Sequence, residues 1–215
     1  MLAKNVNRVF QQLFFMTVVL FILSYTALAQ NNEIGLMLGA NTTPDRDVRP
    51  ISGQTLSKVV VNSGLTFGLS YARRIAGNDL ASVHFETVFF ATPSKDVSAT
   101  ITAVPRNYAA LFVAPGVKIK FLPNAGISPY VAAGGGYARF DESEFQVNNA
   151  PNTGQRGTNT GTFNYGGGLE FKVFRFLALR GEVRDFISGN PRLNAIFSSD
   201  RQHNVISSAG LVLRF

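Results

Sequence analysis

An all-β chain is predicted, folded as an eight-stranded antiparallel up-and-down transmembrane β-barrel behind a cleaved signal peptide, and three features of the sequence predict it. Apolar and polar residues alternate with period two over most of the chain after residue 30, the signature of strands with two unlike faces. The links between these segments are alternately long and short. Charged residues make up only 15% of the chain, against roughly 25% in an average soluble domain, so little charge is present to cover a water-facing surface.

The chain opens with a leader. Lys4 and Arg8 form a positive start, Leu13 to Leu23 an apolar core, and Ala27-Leu28-Ala29 a small-x-small cleavage site. The expected division is therefore Met1–Ala29 as signal peptide and Gln30–Phe215 as barrel domain, cut between Ala29 and Gln30. Without the leader the formal charge falls from +7 to +5, because Lys4 and Arg8 leave and no acid goes with them. The remaining bases are dispersed, which argues against nucleic acid as a partner. Cysteine is absent, so disulfides, thiolate metal sites and an N-terminal lipidated Cys are excluded.

The clearest strand pair spans residues 162–173 and 177–185. Phe163, Tyr165, Leu169, Phe171, Val173, Leu177, Leu179 and Val183 share one face, while Thr162, Asn164, Glu170, Lys172, Arg180, Glu182 and Arg184 share the other. A hairpin closed at Phe174-Arg175-Phe176 sets Phe171 beside Leu179 and Glu170 beside Arg180, an opposite-charge cross-strand pair. Six further strands are expected at 33–40, 65–74, 81–91, 108–121, 129–140 and 203–215. In the second, Leu65, Phe67, Leu69 and Tyr71 oppose Thr66, Gly68 and Ser70; in the third, Val83, Phe85 and Phe89 oppose Ser82, His84 and Glu86. In the fourth, Leu111, Val113, Val117 and Ile119 oppose Ala110, Ala114, Gly116, Lys118 and Lys120. The last sets Ala209, Leu211, Leu213 and Phe215 against Ser208, Gly210 and Arg214, with Val212 blurring the second face.

Alternation by itself fits a soluble lipocalin-like barrel with grease inside as well as a membrane barrel with grease outside. The links favour the membrane. Those at 41–64, 92–107, 141–161 and 186–202 are long, and those at 75–80, 122–128 and 174–176 are short. Outer-membrane barrels pair long extracellular loops with tight periplasmic turns in this way. The polar face is also rich in Gly, Ala and Ser, which suits a crowded lumen, and aromatics such as Phe67, Tyr71, Phe121, Tyr137, Phe163, Phe171 and Phe215 recur towards strand ends as interfacial girdles would.

Two segments carry a resemblance. Pro129-Tyr130-Val131-Ala132-Ala133-Gly134-Gly135-Gly136-Tyr137 resembles a Pro-Tyr-x-x-x-Gly-x-Gly-Tyr segment of small outer-membrane β-barrels of the outer-membrane protein A and X kind, and Gly210-Leu211-Val212-Leu213-Arg214-Phe215 is similar to the last strand of that family. The resemblance implies a Gram-negative outer-membrane protein whose terminal Phe215 is read by the barrel-assembly machinery. It also implies contact with outer-membrane lipid and lipopolysaccharide, a monomeric state and no cofactor. The chain departs from outer-membrane protein A by ending at its last strand, so nothing here corresponds to a periplasmic peptidoglycan-binding domain.

Two constellations could carry catalysis. Ser82, His84 and Glu86 lie about 7 Å apart along one strand, beyond direct hydrogen-bond reach unless side chains bend, and face the lumen. Asp185, His203 and Ser207 lie on the lipid-facing parity near the long-loop rim, in a placement that resembles lipid A deacylases. Ser207 is four residues from His203, about 13 Å along a strand, which is too far for direct proton transfer. The expectation is no enzyme. Asp141-Glu142-Ser143-Glu144 lacks the spacing of a calcium loop and reads as a solvated acidic patch, so no metal site is expected.

The functional residues expected are a lumen charge network of Glu86, Lys118, Lys120, Glu170, Lys172, Arg180, Glu182, Arg184 and Arg214. Two functional classes follow. One is a non-enzymatic structural or surface-interaction barrel, sealed by that network and displaying four long loops. The other is a narrow, porin-like pore or conduit for small or apolar solutes, with six bases against three acids implying anion preference.

Overall fold

The computed structural model describes residues 31–48, 57–99, 103–154, 156–195 and 199–215. The leader and its Ala29/Gln30 junction lie outside the described residues. Ten strands follow in order: β1 (Asn32–Thr42), β2 (Arg46–Val48), β3 (Ser57–Val61), β4 (Gly64–Gly77), β5 (Ala81–Ala99), β6 (Asn107–Phe121), β7 (Ile127–Glu142), β8 (Thr158–Phe174), β9 (Leu177–Gly189) and β10 (Arg201–Arg214).

Eight of them form a closed antiparallel ring, β1-β4-β5-β6-β7-β8-β9-β10, in which β10 returns to β1. Closure runs to the ends of the chain, since Asn32 and Phe215 exchange backbone hydrogen bonds at 2.9 and 3.0 Å. A ring leaves no edge of unpaired N–H and C=O groups, which is the condition for placing strands in hydrocarbon. Every expected strand is present. At the long-loop end they extend further than alternation indicated: β5 runs to Ala99 and β7 to Glu142. The first long link also builds two short strands of its own, with β2 pairing β3 and β3 pairing the upper end of β5 at Val59↔Ala99. These upper segments pass beyond the apolar belt, where two-faced alternation no longer has a lipid side to mark it.

The parity is inside-out. Leu36, Leu38, Phe67, Leu69, Val131, Leu169, Leu179, Val183 and Leu211 all lie on the outer surface, exposed by 43 to 60%. On the inner face Lys118 and Glu170 are 0% exposed. No aqueous surface tolerates such a continuous apolar band, whereas acyl chains cover it at no polar cost. Girdle tyrosines end the band with their hydroxyls satisfied: Tyr71 donates to Asn32 at 2.9 Å on the short-turn side, and Tyr165 to Asp185 at 3.3 Å on the long-loop side.

The small residues of the inner face have a steric cause. A Cβ on Gly210 would lie 1.9 Å from the Leu36 carbonyl oxygen and 2.7 Å from the Met37 Cα, so the close approach of β10 to β1 depends on its absence.

Candidate functional site

The lumen is filled in layers. In the short-turn half, nine ionisable side chains from six strands converge. The bases are Lys118, Lys120, Arg180, Arg184 and Arg214, and the acids are Glu33, Glu86, Glu170 and Glu182, all buried. Glu170 is central. Its Oε1 accepts from Arg180 at 2.7 and 3.1 Å and lies 3.5 Å from Lys118, and its Oε2 accepts from Arg214 at 2.6 Å and faces Lys120 at 2.7 Å. Glu33 takes Lys118 at 2.5 Å, pairs with Lys120 and receives Arg180 at 3.4 Å. Glu86 takes Arg184 at 2.6 Å, and Glu182 accepts from Arg184 at 3.2 Å and from the Tyr130 hydroxyl. The Tyr130 ring lies beneath both Lys118 and Arg180, 5.5 and 5.4 Å from its centroid. Buried charge is sustained only when paired, and here each carboxylate serves at least one cation at hydrogen-bond range.

Eight of the nine residues expected in this network are in it. Lys172 is not: it is exposed. It lies at the bulge between Lys172 and Phe174 next to the tight turn, where a long flexible side chain reaches water instead of turning inward. Glu33 was missing from the expected roster and replaces it. The signal was present, because Ile34, Leu36 and Leu38 face outward and parity sends Glu33 in. The replacement changes six bases against three acids into five against four.

Above the ions the lumen turns apolar, which departs from the expectation of a polar face throughout. Phe90, Phe112, Phe140 and Phe186 are each 0% exposed on the inner side. Phe90 meets Phe186 edge-to-face at 5.7 Å, Phe112 meets Phe140 at 5.9 Å, and Phe112 lies 4.9 Å from Phe186. Val88, Ile206 and Met37 pack with them, and Val59, Val61, Val97, Val104 and Leu193 continue the same cluster outward. On one side of this plug a polar set takes over. Lys95 donates to Asn41 at 3.1 Å and to Thr43 at 2.5 Å, and Thr66 bonds Thr92 at 2.7 Å.

The two catalytic candidates resolve differently. Ser82 and His84 do meet, Oγ to Nε2 at 3.0 Å, against the reach expected from strand rise, because adjacent inward side chains lean together. Glu86 is taken by Arg184 instead of completing a triad, and both Ser82 and His84 are buried among ions. On the outside His203 Nδ1 lies 2.6 Å from Asp185, while Ser207 is exposed and bonded to neither. The acidic patch is not simply solvated. Asp141 is held by Arg139 at 2.8 Å and Glu144 by Arg156 at 2.7 Å. Glu142 is buried, accepting from Gly157 N at 2.7 Å and from Thr158 and Arg192 N at 2.9 Å, and so ties two long loops together.

No family model matches the chain, and no curated protein matches it. Solved structures do. The outer membrane protein OprG from Pseudomonas aeruginosa is similar at a TM-score of 0.58 and 14% identity, with 86% of this chain and 95% of that one covered. The fold is that of a small outer-membrane β-barrel. Neisserial surface protein A is similar at 0.53 and 12% identity, covering 87% of this chain and 98% of that one. The outer membrane enzyme PagL is similar at 0.43 and 14% identity, over 85% and 99%, a likeness too low to argue from. In the barrel the short turns lie at one end and the long links at the other.

Proposed function

We propose that this barrel is a non-enzymatic outer-membrane protein with a structural or surface-interaction role, presenting four extracellular loops on a sealed scaffold. One observation supports this most: the phenylalanine layer Phe90, Phe112, Phe140 and Phe186 sits above the buried ion cluster, so two chemically unlike layers block the same axis. A water-filled pore needs polar lining throughout, and this lumen lacks it. The extracellular end is built for shape: Glu142 clamps two loops, and β2 and β3 stiffen a third.

The partners that accompany this reading are outer-membrane lipid and lipopolysaccharide around the belt and the barrel-assembly machinery reading Phe215, with the protein acting as a monomer. His203 then serves as a rim residue oriented by Asp185, and lipid A deacylation abolished by His203→Ala would overturn the non-enzymatic assignment. Single-channel recording in planar bilayers tests the sealed scaffold. A silent protein at high protein density supports it, and reproducible conductance steps favour a narrow conduit instead.

A further inference from the structure

We infer that the periplasmic mouth of the barrel is a binding site for a phosphate group. A polar pocket of about 270 Å³ opens there, beneath the ion cluster. Four bases line it, Arg74, Lys120, Arg175 and Arg214, against the single carboxylate of Glu33. That carboxylate is already committed, since Lys118, Lys120 and Arg180 all approach it from the lumen side. Lys120 and Arg214 belong to the ion cluster as well, reaching Glu170 at 2.7 and 2.6 Å, and cluster and mouth taken together hold seven bases against four acids, so the excess of positive charge lies with Arg74 and Arg175 at the mouth. Among the described residues no carboxylate pairs with Arg74, which stands half-buried at the pocket wall. His84 lines the same pocket with Nε2 on Ser82 and Nδ1 unpartnered.

The chemistry of this set selects the ligand class. Guanidinium groups offer forked N–H donors that match the oxygens of a tetrahedral oxyanion, and an ammonium adds a point charge. Low-dielectric walls around like charges concentrate anions at such a mouth. The volume holds a phosphate with part of its substituent, so a free phosphate, a small phosphate ester or a phospholipid headgroup entering from the inner leaflet could each supply the group.

The test uses the full barrel in alkyl maltoside micelles and phosphate-free buffer, with backbone amide shifts read by NMR. Inorganic phosphate should give saturable shifts confined to residues around Arg74, His84 and Asn124, while chloride at matched ionic strength should not. Arg74→Gln combined with Arg175→Gln should weaken that binding about tenfold or more, the value of one or two lost charge-assisted hydrogen bonds. Both residues lie outside the buried cluster, and retained heat-modifiable gel migration shows that the variant is folded. A second arm replaces phosphate by dihexanoyl phosphatidic acid. Saturation with the lipid alone supports the site and assigns it to a headgroup; saturation with inorganic phosphate supports a free anion. No saturable shift with either probe, or unchanged affinity in the folded double variant, overturns the inference. Neither result depends on whether the lumen conducts.

Discussion

Glu170 is the residue whose loss should hurt most. Its two oxygens serve Arg180, Lys118, Arg214 and Lys120, all fully or nearly fully buried. Glu170→Ala leaves five bases facing three acids, and Arg214 is left with only Glu33, at 3.6 Å. Removing one member of a buried ion pair costs about 3–5 kcal/mol, because the partner's desolvation is no longer offset. The exposed Lys172→Ala should stay within about 0.5 kcal/mol of wild type. The assay is equilibrium urea unfolding from phospholipid vesicles, followed by far-UV circular dichroism because the chain has no Trp. Glu170→Gln should lose less than Glu170→Ala, since it keeps the volume and one acceptor oxygen. If Glu170→Ala unfolds within about 0.5 kcal/mol of wild type, water is solvating the stranded cations. The lumen is then wet, and the sealed-barrel reading fails with it.

Two further expectations share this assay, and a third is read from heat-modifiable gel migration. Phe112→Ala should cost about 3–5 kcal/mol by opening a cavity in the aromatic layer; a loss below about 1 kcal/mol would show that the layer is loosely packed. Leu169→Arg and Leu179→Arg, both on the outer face, should destabilise insertion by about 2–4 kcal/mol, and improved solubility without detergent would contradict a lipid-facing assignment. Gly210→Ala should prevent heat-modifiable folding, since no relaxation short of parting β10 from β1 accommodates the new Cβ; a normally folded variant would refute that contact.

Much of this protein was legible as a pattern. Period two along residues 162–185 fixed which residues share a face, and the pairing Glu170↔Arg180 and Phe171↔Leu179 follows from closing the hairpin at Phe174-Arg175-Phe176. Eight ring strands and their alternating links follow from the same arithmetic, because the side-chain period and the turn lengths are local properties. Lys172 marks where local reasoning ended: its parity points inward, but its place at a bulge by the barrel mouth lets the ammonium reach water.

What no local pattern contains is the contents of the lumen. Phe90, Phe112 and Phe140 sit on the consecutive strands β5, β6 and β7 and Phe186 on β9, and each reads individually as a break in a polar face. Neighbouring strands set Phe112 against Phe140, but only the ring brings Phe186 within 5.7 Å of Phe90 and 4.9 Å of Phe112 and makes the four a plug. Glu33, 137 residues from Glu170 along the chain, likewise joins the same cations only through closure. Alternation decides which way a side chain points, and that is set within a strand. What it meets there depends on shear and closure across all eight strands, which the tertiary structure alone decides.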